Sequence, residues 1–411
     1  MTSAPARVLR PGLALVGVLM VAANLRASLA TVGPVLSDVQ HELQLASVAA
    51  SVLISLPVLA FAVISPLTPA LMRRLGDEGA LAAALGLLAV GIVLRSLPGS
   101  GLLWLGTALL GAAIAVLNVA LPAVVKRDFP TRIGQLTGAY SSVQAAFAAL
   151  AAGVAVPIAG ATGSGWRLAF GVWAGLALVA LAVFSPQLRR NAAPAPGEED
   201  IVAGAPLGAA VAVSAAGERS AWRNPWGSAL AWQVTLFMGL QSTTYYVLVT
   251  WMPSIERAGG VPASAAGFHL LIFNALGIAG SLSAAVLMPQ LRGPRLIVTV
   301  GPVMILVAVL GLLAAPLLGV LWACFAGVGA GATIVLALSL FGLRTRHHRQ
   351  AASLSGMAQS IGYLLAAAGP VAMGAIHDAT GRWAPTLVIL GAVCVLQIVF
   401  GLLATRPRFL G

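Results

Sequence analysis

The sequence predicts an all-α integral membrane protein with twelve transmembrane helices in two pseudo-symmetric six-helix bundles. Two observations lead to this fold class. Hydrophobic residues make up 59% of the chain and charged residues only 8%, whereas soluble domains carry about 25% charged residues. The two halves of the sequence also share an internal repeat, which indicates that one six-helix unit occurs twice.

The apolar residues fall into twelve runs separated by charged, Gly-containing or Pro-containing breaks. A helix needs about 20 apolar residues to cross a bilayer core about 30 Å thick. Because no small-residue cleavage site accompanies the first run, a retained first helix is expected rather than a cleaved signal peptide. The runs occupy residues 12–36, 46–70, 79–97, 102–125, 134–160, 166–186, 226–253, 264–288, 295–315, 318–341, 351–376 and 383–404.

One break is much longer than the others. Residues 187–225 include "APAPGEED" and "ERSAWRNP", a composition typical of a flexible linker. The predicted organisation is therefore an N-terminal bundle at 1–186, a cytoplasmic linker at 187–225 and a C-terminal bundle at 226–411.

The basic residues predict the orientation. With both termini and the linker on one side, 18 of the 23 Lys and Arg residues lie on that side, four lie on the other, and Arg26 lies inside a span. The positive-inside rule then predicts a multi-pass inner-membrane protein with cytoplasmic termini. This topology accounts for the net charge of +12, so no nucleic-acid partner is expected. The four residues on the minority side are Arg95, Arg167, Arg257 and Arg382.

The internal repeat has an offset of about 217 residues. The segment "QLTGAYSS" at 135–142 aligns with "SLSGMAQS" at 353–360, and Trp166 aligns with Trp383. Pro34 similarly aligns with Pro253. Repeated halves of this kind commonly enclose a substrate site at their interface near the bilayer midplane.

Three segments resemble a known family. They are "NLRASLATVGPVL" (24–36), "VLNVALPAVVKRDFPTRIGQLTGAY" (116–140) and "GLQSTTYYVLVTWMPSI" (239–255). They are similar to signatures of the cyanate and nitroimidazole transporter family of the major facilitator superfamily. The resemblance implies the major facilitator fold and secondary active transport of a small anionic or polar solute, with uptake favoured.

The sequence departs from one general motif of that superfamily. In "PALMRRLGD" (69–77), Pro69 replaces the motif's Gly and Arg73 stands where its acidic residue belongs. A gating ion pair built from that motif is therefore not expected here.

Arg26 is the central candidate for substrate binding. All acidic residues lie in connections or at span ends, so no deep carboxylate is predicted to pair with it, and ionisable groups at membrane depth are costly and often functional. An anionic substrate could accept two hydrogen bonds from the planar guanidinium. Two alternatives are a purely structural role, with bonds to carbonyls and hydroxyls, and a role in gating.

Amides and phenols supply the other predicted substrate contacts. Residues four positions apart share a helix face, which gives three amide–phenol pairs, and Asn24 aligns with Gln241 across the repeat. Each of these groups could instead fasten helices together. The candidates are Asn24, Asn118, Tyr140, Gln144, Gln241, Tyr245, Asn274, Gln359 and Tyr363.

A proton carrier and other functions are also considered. His269, shallow in the eighth run, is a candidate for proton coupling, although a histidine bonded at an interface is the alternative. "GVAVPIAG" (153–160) loosely resembles a motif of drug-exporting antiporters, so proton-coupled export is the alternative function. An enzyme or a channel is disfavoured, because the sequence lacks deep acid–base pairs and the halves are duplicated. The expected partners are the bilayer and a small-molecule or anion substrate, with no cofactor or metal, and the protein is expected to be a monomer.

Overall fold

The computed structural model describes residues 11–45, 47–161, 163, 165–185, 224–289 and 294–410. Within these residues the protein is helical, with no strand. The predicted linker at 187–225 lies outside them except for its last two residues, so the domain boundaries stay a prediction.

Each predicted span contains a helix. The first half comprises α1 (Pro11–Ala30), α2 (Leu36–Leu43), α3 (Ser47–Ile64), α4 (Thr68–Ser96), α5 (Ser100–Asp128), α6 (Ile133–Ala161), α7 (Trp166–Gly171) and α8 (Trp173–Phe184). The second half comprises α9 (Ala229–Ala258), α10 (Ala263–Leu287), α11 (Arg295–Ala314), α12 (Gly319–Leu343), α13 (His348–Thr380) and α14 (Ala384–Ala404). The short helix α2 follows the first span, and α7 and α8 together form the sixth.

Ten segments among the described residues are long and apolar enough to cross a membrane. One of them, Val52–Ser96, combines α3 and α4, and α9 is not among the ten. The polar run "QSTTYY" at 241–246 lowers the hydropathy of α9. Counting α3 and α4 separately and adding α9 gives the twelve crossings of the predicted fold.

The break between the second and third spans differs from the prediction. Residues 71–78 are not an open loop, because α4 already begins at Thr68. The chain instead bends through a short 3₁₀ turn at Ser65–Leu67. A second bend occurs at Gly76, whose φ of 73° lies in the left-handed region that favours glycine.

The two halves pack in a pseudo-symmetric way. Helix α6 of the first half packs against α10 and α12, and α13 of the second half packs against α3 and α5. The repeated segments at 135–142 and 353–360 lie on α6 and α13, which are therefore equivalent helices. This arrangement confirms the duplicated six-helix unit.

Among the described residues, the two halves pack closely towards one side of the molecule. We call this side the basic side; it carries the ends of helices near Arg127, Arg132, Arg344 and Arg346. A Cβ atom added to Gly138 of α6 would overlap Ala285 of α10 there. Further along α6, a Cβ atom at Gly153 or Gly160 would meet nothing within 4 Å. Helix α6 is therefore closely packed against the other half near Gly138 but not near Gly153 or Gly160.

An ion cluster lies on the basic side. The altered motif at 69–77 had led us to expect no gating ion pair there. Arg127 of α5 bonds to Asp77 (3.1 Å), Glu78 (2.7 Å) and Asp128 (2.8 Å). His348 of the second half lies 3.5 Å from Asp77. We call Arg127, Asp77, Glu78, Asp128 and His348 the Arg127 cluster. Arg73 occupies the position where the motif has its acidic residue. Asp77 and Glu78, which follow Gly76, supply the carboxylates instead.

A second ion pair anchors α2 on the opposite side. Glu42 accepts hydrogen bonds from Arg167 and from the indole of Trp166, the latter at 2.6 Å. The hydrogen bond from Arg167, helped by Trp166, lowers the pKa of Glu42. The carboxylate is therefore ionised at neutral pH and joins α2 to the start of α7.

Arg95, which the sequence assigns to the side opposite the termini, is a buried residue. Its side chain is fully buried at the end of α4. It donates to the Ser28 carbonyl of α1 at 2.7 Å, and its guanidinium carbon lies 4.3 Å from the ring centroid of Phe170. Ser28 lies in the last turn of α1, where carbonyls lack helical donors. Arg95 therefore caps the helix that carries Arg26.

Replacing Arg95 with Ala is expected to destabilise the protein by about 2–4 kcal/mol, because it leaves a cavity and a carbonyl without its donor. Thermal unfolding of the purified protein in detergent measures this loss. Arg382→Ala, at an exposed arginine on the same side, is the matched control and should leave the unfolding temperature nearly unchanged. Equal unfolding temperatures for both variants would contradict the capping role.

Candidate functional site

Arg26 lies at the interface between the two halves. Because α1 ends at Ala30, Arg26 lies in the last two turns of that helix rather than at the middle of its run. Its side chain is half-buried, and its guanidinium lies close to the phenols of Tyr246, Tyr245 and Tyr363. Among the described residues, no carboxylate forms an ion pair with it. Among the described residues, the ionisable neighbours of this half-buried cation are therefore phenols of the second half.

The phenols belong to an aromatic surface that both halves supply. The Tyr363 ring lies 5.1 Å from that of Phe61 on α3. The Tyr245 ring lies 5.8 Å from that of Phe273, and the Tyr245 hydroxyl donates to Asn274 Oδ1 at 3.3 Å. We call Arg26, Tyr245, Tyr246, Tyr363 and Asn274 the Arg26 site. Of these residues, the sequence predicted all but Tyr246.

Tyr246 lies outside the amide–phenol pairs from which the other tyrosines were predicted. Tyr245 follows Gln241 by four positions, whereas Tyr246 follows Ser242 by four. The adjacent "YY" at the end of the polar run 241–246 was the available signal. Successive residues of a helix point about 100° apart around its axis. Both phenols can therefore reach a cation that lies between the two side chains.

Asn24 and Gln241 have partners outside the Arg26 site. The Asn24 amide donates to Met20 O at 2.9 Å and to Leu176 O of α8 at 3.4 Å. Residues two positions apart point about 200° apart around a helix, so Asn24 faces α8 rather than the phenols. Gln241 is buried, and its Oε1 accepts from Ser242 at 3.3 Å.

Three predicted residues, Tyr140, Gln359 and Asn118, lie along the interface, and a fourth, Gln144, has no contact across it among the described bonds. Tyr140 is fully buried and lies near Tyr363, so it adjoins the site. Gln359 donates to the backbone carbonyl of Asn118 at 2.9 Å and to Ser355 Oγ at 2.8 Å. The side chains of Asn118 and Gln144 are half-buried.

His269 has a buried acidic partner that the sequence did not predict. Its Nδ1 lies 3.0 Å from Glu256 Oε2, and Glu256 is fully buried within α9 rather than in a connection. Gly319 at the start of α12 lies against both side chains. The pair lies eleven positions beyond Tyr245, about 16 Å along the helix, and thus apart from the Arg26 site.

The arrangement fits binding rather than bond-making chemistry. No group of three or more His, Cys, Asp or Glu residues in the described segments could hold a metal ion. A groove of about 450 Å³ between α6 and α8 is lined by apolar residues such as Val154, Pro157 and Leu176, and no member of the Arg26 site lines it. The Arg26 site offers a planar cation, hydroxyls and aromatic faces, which together suit a small anion or polar ring.

Comparisons with known proteins identify the class. Residues 18–367 match the profile of the Major Facilitator Superfamily. The chain is 40% identical over 393 residues to the 2-nitroimidazole transporter of Escherichia coli, covering 95% of each chain. It is 25% identical over 393 residues to the cyanate transport protein CynX of Escherichia coli, covering 94% of this chain and 96% of the relative.

Solved structures agree on the fold. The proton:xylose symporter XylE, bound to 6-bromo-6-deoxy-D-glucose, superposes with a TM-score of 0.75 at 14% identity. The match covers 95% of this chain and 94% of that one. The chain belongs to the Major Facilitator Superfamily, and within it to the cyanate and nitroimidazole transporter family that its motifs resemble. It is a multi-pass membrane transporter, not an enzyme.

Replacing Tyr246 with Phe is expected to raise the half-saturating substrate concentration by about fivefold, because the hydroxyl beside Arg26 is lost as a hydrogen-bonding group. Tyr245→Phe is the matched variant: it removes the bond to Asn274 and leaves the Tyr246 hydroxyl beside Arg26 in place. Concentration-dependent uptake by the two variants separates the contributions. We expect the Tyr246 hydroxyl to contribute more to substrate binding than the Tyr245 hydroxyl. A smaller effect for Tyr246→Phe than for Tyr245→Phe would contradict this.

Proposed function

We propose that the protein takes up a small planar anion or polar heterocycle, cyanate-like or nitroimidazole-like, by secondary active transport. One observation carries this proposal: Arg26 is half-buried between the halves and has phenols but no carboxylate for neighbours. A small anion would complete the charge balance, and the rings of Tyr245 and Tyr363 would cover its faces. The names of the two relatives support this substrate class.

The proposed orientation places the basic side in the cytoplasm, with both termini there and the protein as a monomer in the inner membrane. The described conformation is then open to the outside, so that the Arg26 site would be reached from that face. Rocking of the two bundles about the site would close the outer cleft and part the basic side. Tyr140, Gln144 and Asn118 would line the path through the interface, while Asn24 and Gln241 would hold α1 and α9 in place.

The Glu256–His269 pair is the proposed site of proton coupling. It lies on the side opposite the basic side, where a proton from outside would enter. Protonation of this pair would change the charge at the junction of α9, α10 and α12. The membrane potential or exchange for another anion are the alternative driving forces.

Proteoliposomes containing the purified protein test the proposal, with 2-nitroimidazole and cyanate as probes. Uptake should saturate with concentration and should respond to an imposed pH gradient or membrane potential. Non-saturating flux of both probes would overturn the proposal. Loading from the basic side of oriented vesicles, driven by an opposing proton gradient, would favour the export alternative.

A further inference from the structure

Two backbone carbonyls of the first half lack their helical donors because of prolines. In an α-helix, the carbonyl of residue i accepts from the N–H of residue i+4, and proline has no N–H. Pro66 therefore leaves the Ala62 carbonyl of α3 without this donor, and Pro122 does the same for the Asn118 carbonyl of α5. Both carbonyls lie on the surface that faces α13.

Adjacent residues of α13 donate to these two carbonyls. Ser360 Oγ donates to Ala62 O at 2.6 Å, and Gln359 Nε2 donates to Asn118 O at 2.9 Å. Both side chains are at least nine-tenths buried, and both bonds cross from one half to the other. Among the described hydrogen bonds, no side chain reaches the carbonyls freed by the other prolines inside long helices, namely Pro57, Pro157, Pro253, Pro302 and Pro370.

The repeat provides an internal comparison. Ser141 and Ser142 of α6 align with Gln359 and Ser360, and their hydroxyls are buried without a hydrogen-bond partner among the described residues. Helix α6 packs against α10 and α12, and neither of these helices contains a proline. Among the described residues, the repeat-related serines thus make no bond equivalent to those of Gln359 and Ser360.

We propose that Pro66, Pro122, Gln359 and Ser360 form a hydrogen-bonded latch that favours the conformation closed on the basic side. Parting the halves there breaks both bonds and exposes two carbonyls that have no helical donor, which is costly at membrane depth. The inference rests on the proposed function only in assuming that the halves part during transport. It assigns Gln359 to the latch rather than to the substrate.

Spin-label distances across the basic side test the latch in the absence of substrate. The exposed residues Arg74 and Arg346, replaced by Cys in a Cys324→Ala, Cys394→Ala background, report the separation of the halves. Ser360→Ala and Gln359→Leu should each raise the ratio of open to closed populations by about fivefold. Pro66→Ala should shift the ratio in the same direction, because it returns an N–H for Ala62 O.

Two control variants are matched to these changes. Ser142→Ala removes the repeat-related hydroxyl, which has no described acceptor, and Pro57→Ala removes another proline of α3; neither should shift the distances. Unchanged distances in the Ser360→Ala, Gln359→Leu double variant would overturn the latch, as would equal shifts for Pro57→Ala and Pro66→Ala. Should Pro66→Ala not fold, the two side-chain variants decide. Because no substrate is present, failure here is distinct from failure of the proposed uptake.

Discussion

Replacing Arg26 with Lys is expected to reduce uptake at low substrate concentration by about 10- to 100-fold, with normal expression and folding. Lysine keeps the positive charge but loses the planar fork that can hold an anion by two hydrogen bonds. A charge-assisted hydrogen bond contributes about 1.5–3 kcal/mol, which gives this range. Initial uptake rates in proteoliposomes, normalised to the amount of reconstituted protein, measure the effect.

Arg167→Lys is the matched control for this substitution. Arg167 makes its ion pair with Glu42 at the molecular periphery, far from the phenols of the second half. Its replacement should leave uptake within about twofold of the wild type, since exposed ion pairs contribute about 0–1 kcal/mol. Wild-type uptake by Arg26→Lys would refute two-point binding by the guanidinium.

Replacing Arg127 with Ala is expected to have the largest effect on stability. The carboxylates of Asp77, Glu78 and Asp128 are 2–10% exposed and share this one guanidinium. Removing one partner from a buried ion cluster leaves charges without compensation and costs about 3–5 kcal/mol. The loss should appear as a lower unfolding temperature in detergent.

Arg132→Ala is the control for Arg127. Arg132 lies five positions further along the same basic connection and is exposed, so its loss should change stability by no more than about 0.5 kcal/mol. If the two variants unfolded at the same temperature, the Arg127 cluster would not hold the basic side together. A stable Arg127→Ala variant with a wider Arg74–Arg346 separation would instead limit its role to gating.

The sequence was sufficient to predict the twelve crossings, because run length and charge placement follow directly from the thickness of the bilayer. It also made Arg26 the central candidate, since an arginine inside an apolar run is conspicuous. The direction in which a side chain points was harder to predict from the sequence. Helix α1 is apolar on all sides, so its sequence does not reveal which face meets α8. Asn24 was therefore placed with Arg26, although it faces away.

The burial of charged residues near helix ends was also not predicted from the sequence. The sequence assigns Arg95 to the side opposite the termini and Glu256 to a connection or span end, and neither assignment indicates burial. Their burial depends on Ser28 and Phe170 for Arg95, and on His269 for Glu256. Those partners are distant in sequence and become neighbours only when the helices pack. For the same reason, the sequence did not predict the hydrogen bonds from α13 to the carbonyls of Ala62 and Asn118.

Equilibrium binding tests the central claim, that Arg26 holds the transported solute, most directly. Isothermal titration of the purified protein with 2-nitroimidazole and with cyanate measures Kd without a gradient or a transport cycle. The wild type should bind at least one probe saturably, and Arg26→Ala should raise its Kd by about 100-fold or more. An unchanged Kd in a folded Arg26→Ala variant would contradict the claim.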